Sequence, residues 1–574
     1  MANHLDWFTS FKNNPHYQTL SSHPIAYFCA EFALSHDLPV YAGGLGVLAA
    51  DIVKEAHDRE FPMIGVGLYY YEGYSCKTEI VQGELTETCQ ITHPEQIGLE
   101  PVNNANGERI TVSVPMMGKN VKAQAWVWKA GSVPVYFLDS NIELNDPNDR
   151  KITNRLYTSD QQMRLKQEMI LGIGGIRLLK TLGITPSVYH MNEGHSAFLV
   201  LEVAHNLMKE KGLNFVKAID AAKHQTVFTN HTLVAAGHDV YVNDLVSLMF
   251  DQYALEMQIP VNDIVNLGLV RESDTFSMTM LSLRHATMIN AVSKLHAQRA
   301  NEIWTNHPML SITNGIHVPT WDKLKNPTDG PTLWQQHLER KRILLAYIKD
   351  QTGNEWNENE LIIGWARRIV NYKRPLALFE DLAAFKAIAQ NSEKPVKIVF
   401  AGLPHPDDRI GVEMLNQILR MAAGEFNGTV VYLKDYTIDL GAMLTSGCDV
   451  WLNTPIVGYE ACGTSGMKAA LNGVLPMTTP DGWAAEVDLD DIGYSLTSDN
   501  IKNSLLDTLR DYIVPGYYSR DENNFPQLWL TKTLSARKLM LERFSATRML
   551  KHYADNMYLR VLDNKEQPAT TVES

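Results

Sequence analysis

Cysteine is scarce in this sequence. Five occur in 574 residues, at Cys29, Cys76, Cys89, Cys448 and Cys462, an odd and scattered set without a CxxC pair. That argues against a disulfide framework or a four-cysteine zinc site and fits reduced thiols. Basic residues are in deficit, Lys+Arg 51 against Asp+Glu 65, for a formal net charge of -14. A general nucleic-acid binder needs a basic footprint to displace counterions, and anionic lipid selects the same sign, so both partner classes are set aside. A small anionic substrate is not, because a pocket can oppose the sign of the whole molecule. No run of about 18 apolar residues occurs, so no membrane span is expected. The first twenty residues hold no apolar stretch long enough for a signal peptide. Short-period repeats and low-complexity tracts are absent as well. The expectation is a cytoplasmic globular protein.

What is present is an alternation of strand and helix. Short apolar, β-branched runs at Ile25 to Cys29, Pro62 to Tyr69, Val133 to Leu138, Val188 to Met191 and Thr226 to Phe228 read as buried strands. A second series begins near residue 360, with Leu361 to Trp365, Val396 to Ala401, Thr429 to Leu433 and Val450 to Leu452. Between them, Leu376, Phe379, Leu382, Phe385 and Ile388 recur at helical spacing, as do Val412, Leu415, Ile418 and Leu419. The pattern predicts an α/β protein of two doubly wound, Rossmann-like lobes, with ligands at the carboxyl ends of the strands, in the cleft between them. Thr313 to Pro319, with its Asn-Gly and Pro, marks the boundary. We therefore expect an N-terminal lobe over 1–314, a C-terminal lobe over 315–535, and a helix and tail over 536–574 crossing back to the first lobe. The helix, Ala536 to Leu562, carries a charged face and is expected to pack on the surface.

The densest chemical signal is Glu460-Ala461-Cys462-Gly463-Thr464-Ser465-Gly466-Met467-Lys468. A Gly-Thr-Ser-Gly turn that opens a short helix presents backbone N–H groups and two hydroxyls to an anion. Lys468 suits a phosphate or, once desolvated, an imine with an aldehyde; the plainer alternative is a helix cap with a solvated lysine. A second signal, Trp365 to Pro375, places Arg367, Arg368, Lys373 and Arg374 within eight residues of an acidic chain. Arginine forks grip phosphate oxygens bidentately and lysine adds a point charge; a basic helix end on the surface is the alternative. Both turns follow expected strands of one lobe, so together they would hold two phosphates. The third signal is Val40 to Asp51, whose Gly43, Gly44 and Gly46 let a ligand reach bare backbone, unless they serve only a tight turn. Two histidine loops, His190 to His195 and Phe228 to Thr232, suit sugar hydroxyls. A metal site is set aside, because these residues share no helical i, i+4 face.

Taken together, these segments resemble the α-glucan (glycogen or maltodextrin) phosphorylases, a pyridoxal-phosphate family. Glu460 to Lys468 is similar to the cofactor-lysine motif Glu-Ala-Ser-Gly-Thr-x-x-Met-Lys, Arg367 to Lys373 to the phosphate-recognition segment, and Gly43 to Gly46 to the glycine loop. Thr313 to Trp321, Asn192 to His195, Thr229 to Thr232 and Asp435-Tyr436 match in order, so the resemblance runs from about residue 25 to about residue 490. It implies a GT-B-like fold, retaining phosphorolysis of α-1,4-glucans to glucose 1-phosphate, and a homodimer. Lys468 would form the Schiff base with pyridoxal 5'-phosphate. Arg367, Thr464 and Ser465 would hold its phosphate, with Trp321 and Tyr436 lining it. Arg368, Lys373 and the Gly44 backbone would bind the substrate phosphate. Leu45, His195, His231, Asn314, Tyr372, Glu460 and Gly463 would contact the glucosyl unit or its neighbour. Cys462 replaces the motif's serine, Gly466 a polar residue, and Arg367 the lysine of many members. Fewer than thirty residues precede the first strand, which suits a short microbial type without the amino-terminal control region of the regulated animal enzymes.

Two rival readings remain at this stage. A sugar-nucleotide glucosyltransferase of the glycogen-synthase type shares the architecture, but its loop carries Glu, seven residues, then a second Glu, where this chain has Lys468 eight after Glu460. The other is an inactive glucan-binding protein, against which the retained Arg368, Lys373, Lys468 and His195 stand.

Overall fold

The computed structural model describes residues 2–74, 77–81, 84–88, 91–234, 237–405 and 407–566. Two large sheets organise the chain. The first is ten-stranded, in the order Leu310–Ser311, Met288–Ala291, Thr226–Asn230, Val188–Asn192, Ile25–Cys29, Met63–Leu68, Val133–Asp139, Lys119–Ala130 and Glu100–Pro101, with Thr111–Met116 also paired to Lys119–Ala130. From Leu310–Ser311 to Val133–Asp139 every neighbour is parallel; beyond that edge the pairing turns antiparallel. The antiparallel extension is absent from the sequence-based expectation. Its strand Lys119–Ala130 interleaves charged and apolar residues, whereas the parallel strands are continuous apolar runs buried on both faces.

The second sheet has six strands, all parallel, in the order Val430–Leu433, Val396–Ala401, Leu361–Ala366, Val450–Asn453, Leu475–Thr478 and Tyr494–Ser495. Along Leu361–Ala366 the side chains alternate between two cores. Leu361, Ile363 and Trp365 join one with Met414, Leu415 and Ile418 of helix Arg409–Ala423; Ile362 and Ala366 join another with Leu344, Leu440 and Leu444. Helices thus bury both faces. The direction of winding reverses between Leu361–Ala366 and Val450–Asn453, and in the first sheet between Ile25–Cys29 and Val188–Asn192. Crevices of this kind at strand carboxyl ends collect ligands.

Two helical expectations are corrected. Residues 376–388 do not form one helix: a turn at Ala377–Phe379 precedes helix Leu382–Ala389, because the Asp381 side chain accepts from Ala384 N at 3.0 Å and caps a fresh start. The C-terminal helix is likewise interrupted. Gln527–Arg543 ends, Ser545 caps Ala546–Tyr553, and Met549, Leu550, Tyr553, Met557 and Tyr558 enter the core of the first sheet rather than the surface. The charged face read from sequence was real but narrow. Cys29, Cys448 and Cys462 are unpaired and buried, while Cys76 and Cys89 lie outside the described residues. Among the described residues no helix is long and apolar enough to cross a membrane.

Candidate active site

The candidate residues gather at the carboxyl ends of the strands that flank the second sheet's reversal point. Arg367 follows strand Leu361–Ala366, and Asn453 ends the strand across the crevice; the Arg367 guanidinium bonds Asn453 Oδ1 and, at 3.0 Å, Ser465 Oγ. Ser465 also accepts from Trp451 Nε1 at 3.2 Å. It lies in helix Thr464–Leu471, entered through Gly463 at φ +80, a left-handed conformation that glycine tolerates. That helix has no side-chain cap, so its first amides remain open toward an anion. Arg367 Nε is buried without a hydrogen-bond partner among the described residues.

Lys468, one turn further along, is buried with Nζ 3.7 Å from the centroid of the Trp321 ring. Burial pulls its ammonium down to about 8, against the pull of Asp51 in the opposite direction. Asp51 belongs to the glycine-loop helix Gly44–Asp58 and accepts from Trp321 Nε1 at 2.8 Å and 3.0 Å. A carboxylate of the first sheet's helix therefore fixes the ring under a lysine of the second. Asp51 was not singled out from sequence, although a lone acid among Leu48, Ala49, Ala50, Ile52 and Val53 was a visible signal.

Glu460 stands between cations, with Oε2 3.4 Å from both Arg367 Nη1 and Lys373 Nζ. Burial raises its carboxyl, but the two cations outweigh that and hold it low. Burial, with Arg367 and Arg368 nearby, brings Lys373 down to about 8. Arg368 reaches solvent and points across to the first sheet, where a Cβ on Gly43 would lie 3.7 Å from its Nη2. Tyr372 stacks on Tyr459 with centroids 6.0 Å apart. Tyr436, half-buried, lies close enough to Arg367 to feel its charge.

The glycine loop is less bare than its sequence suggests. Buried Glu31 accepts from the amides of Ala42, Gly43 and Gly46 at 2.7 Å, 3.0 Å and 3.3 Å through Oε2, and from the Tyr157 hydroxyl through Oε1. Of the loop's amides, those of Gly44 and Leu45 have no partner among the described residues. Glu31, two residues past a strand end, was also missed. On the neighbouring strand ends, the His231 ring is 2.6 Å from Asn192 Oδ1 through Nε2, and its amide donates to Glu193 Oε1 at 2.7 Å. Burial lowers His231 to about 3, so the ring is neutral, and the network assigns its proton to Nε2 and leaves Nδ1 an acceptor. Asn314 carries a buried Oδ1 without a hydrogen-bond partner among the described residues.

Metal-type donors do converge despite lacking a common helix. Glu168, His195 and Asp239 offer atoms within 4.8 Å of one another. Arg164 pairs with Asp239, Nε 2.6 Å from Oδ1, so a guanidinium occupies one side of this group. It borders a cavity of about 20 Å³, room for one water, lined also by Tyr70 and Tyr157.

An open helix N-terminus, a buried amine of lowered basicity on an indole face and a second group of cations thus lie within one helix and its neighbouring turns. The carbohydrate phosphorylase family profile matches residues 322–502. The chain is 35% identical to the maltodextrin phosphorylase of Thermococcus litoralis over 97% of this chain and 72% of that protein. It is 32% identical to the glycogen phosphorylase of Aquifex aeolicus, over 96% of this chain and 89% of the relative. With the Mycobacterium bovis glycogen phosphorylase the identity is 34%, over 93% and 70%. The chain belongs to the carbohydrate phosphorylase family.

Proposed function

We infer that this protein is an α-glucan phosphorylase that cleaves α-1,4-glucans with inorganic phosphate, retaining configuration, to give glucose 1-phosphate. The supporting observation is Lys468 seated on Trp321 in the helix whose first turn also meets Arg367. Those residues fit pyridoxal 5'-phosphate: the orphaned Arg367 Nε, the open amides of Thr464 and Ser465 and the Ser465 hydroxyl suit its phosphate, and the Lys468 amine its aldehyde. When bound, that cofactor supplies a phosphate able to exchange protons with a neighbouring substrate phosphate.

The chain's own residues do the rest. Arg368, Lys373 and the open amide of Gly44 hold inorganic phosphate, the Leu45 amide faces the glucosyl unit, and Glu460 releases Lys373 as the anion arrives. Neutral His231 offers Nδ1 as acceptor and His195 offers Nε2 to glucosyl hydroxyls, with Asn314, Tyr372 and Gly463 beside the sugar. The bound phosphate protonates the glycosidic oxygen as its C1–O bond breaks, then bonds to C1 from the same face, which retains configuration. Cations that hold two anions in contact contribute positioning and electrostatic stabilisation. We read the two sheets as GT-B-like lobes, 1–314 and 315–535, facing across this cleft, with 536–574 returning to the first. The sugar-nucleotide and inactive-binder alternatives are not favoured.

The test is direct. Purified protein should carry pyridoxal absorbance, borohydride should fix the label on Lys468, and a linear α-1,4-glucan plus phosphate should yield glucose 1-phosphate. Glucosyl transfer from a sugar nucleotide with no phosphorolysis would overturn the reading.

A further inference from the structure

Behind His195, charged side chains arrive from two other segments. His195 lies in the turn after strand Val188–Asn192, Arg164 and Glu168 share helix Gln161–Met169, and Asp239 immediately precedes strand Val240–Val242. Nδ1 of His195 is 2.9 Å from Asp239 Oδ2 and 3.5 Å from Glu168 Oε1. Asp239 is held in turn by Arg164, Nε to Oδ1 at 2.6 Å and Nη2 to Oδ2 at 3.0 Å. Tyr241 donates to Glu168 Oε2 at 2.8 Å, which fixes the second carboxyl as well. The imidazole also leans on Tyr157, with ring centroids 5.7 Å apart, and Arg164 lies over the other ring at 5.1 Å. One ring nitrogen is thus fully engaged, and Nε2 has no hydrogen-bond partner among the described residues.

We propose that Asp239 is a positioning residue for phosphorolysis: with Arg164 behind it, it locks the His195 ring with Nδ1–H turned inward and holds it as an imidazolium, so that Nε2–H is a committed donor to the glucosyl unit. The electrostatics agree. Burial and the nearby Arg164 charge oppose a charge on His195, but the hydrogen bond to Asp239 and the close approach of Glu168 outweigh both and raise it to about 10. Glu168, raised to about 8 by burial and by the Asp239 charge, carries little negative charge of its own at neutral pH. The other titratable groups facing the ring are Glu193, raised to about 7 chiefly by burial, and His231 and His238, both lowered by burial. Asp239 is therefore the counter-ion that matters. A donor fixed by a buried carboxylate recognises a sugar oxygen without reorganising when the substrate arrives.

The proposal rests on the assignment of His195 to the glucosyl site, and the experiment separates the two. Asp239→Asn, His195→Gln and the double variant of the holoenzyme are assayed for kcat/KM on a linear α-1,4-glucan from pH 6 to pH 9, each as a ratio to the unchanged enzyme so that titration of phosphate cancels. Asp239→Asn should lose about tenfold at pH 8 and much less at pH 6, where an unsupported imidazole still protonates. The double variant should be no worse than His195→Gln alone. Losses that multiply in the double variant, or an Asp239→Asn loss independent of pH, would overturn the positioning role. His195→Gln with unchanged kcat/KM would instead overturn the placement of His195, and the proposal with it. If Asp239→Asn does not fold, Arg164→Gln with Asp239→Asn removes the buried ion pair as a unit and carries the same pH comparison.

Discussion

Lys468 shows how little an individual residue's identity says before its surroundings are known. A lysine titrates near 10.5, and this one is brought to about 8 by burial on Trp321. The neutral amine needed to attack an aldehyde is therefore available near physiological pH. Cofactor-stripped protein should take up pyridoxal phosphate at a rate that rises with pH with a midpoint near 8. Because the folded state binds fewer protons than the unfolded one between about 8 and 10.5, its unfolding free energy should also rise with pH across that window. Lys468→Ala should lose both the cofactor's absorbance and phosphorolysis; activity that survives without absorbance would sink the assignment. Two glycines of one loop should behave oppositely. A Cβ on Gly46 would lie 2.7 Å from Tyr41 Cβ and 2.8 Å from Glu31 Cβ, so Gly46→Ala should cost about 1–3 kcal/mol in denaturant unfolding. Gly44→Ala meets nothing within 4 Å and should leave stability unchanged while raising the KM for phosphate.

At the scale of elements, the returning C-terminal helix ties the crossover between the sheets. Arg548 of helix Ala546–Tyr553 is buried and donates to the carbonyls of Thr313 at 2.5 Å and Asn314 at 2.9 Å. Ile316 N bonds Phe544 O at 2.9 Å, and Ala546 N returns to Ile316 O at 2.7 Å. Asn314 is thereby positioned through its backbone, while its Oδ1 has no hydrogen-bond partner among the described residues. Arg548→Leu keeps bulk but orphans two buried carbonyls, and should cost about 2–4 kcal/mol by denaturant unfolding. Activity at low temperature should fall with it, through the displaced Asn314. The Asn-Gly of this crossover was legible as punctuation. Its glycine has a second reason: a Cβ on Gly315 would lie 2.3 Å from Ser545 O, a contact made by a segment some 230 residues away.

For the molecule as a whole, the net charge of -14 and the cationic site pull in opposite directions. Surface charges more than a Debye length from the site, about 8 Å at physiological salt, are screened, so the local cluster governs phosphate binding. Raising salt should therefore raise the KM for phosphate several-fold and leave the KM for neutral glucan unchanged within about twofold. Equal shifts in both would show that the salt acts on the fold instead.

The sequence by itself determined the parallel strands and the turns that follow them. The buried runs at Ile25, Val188, Leu361 and Val450, and the glycine turn before Lys468, are written in local apolar pattern and local backbone freedom. It also supplied the cations Arg367, Arg368, Lys373 and Lys468 as candidates, because a basic cluster in an acidic chain is visible in one dimension. Only the tertiary structure decided which group each buried carboxylate holds. Glu31 on the glycine loop, Asp51 beneath Trp321, Glu460 between Arg367 and Lys373, and Asp239 behind His195 are set by distances between segments far apart in the chain. The same holds for the C-terminal helix, whose narrow charged face was legible but whose burial was not. A side chain's type is local; its partner, and hence its charge and its role, is a property of the packed molecule.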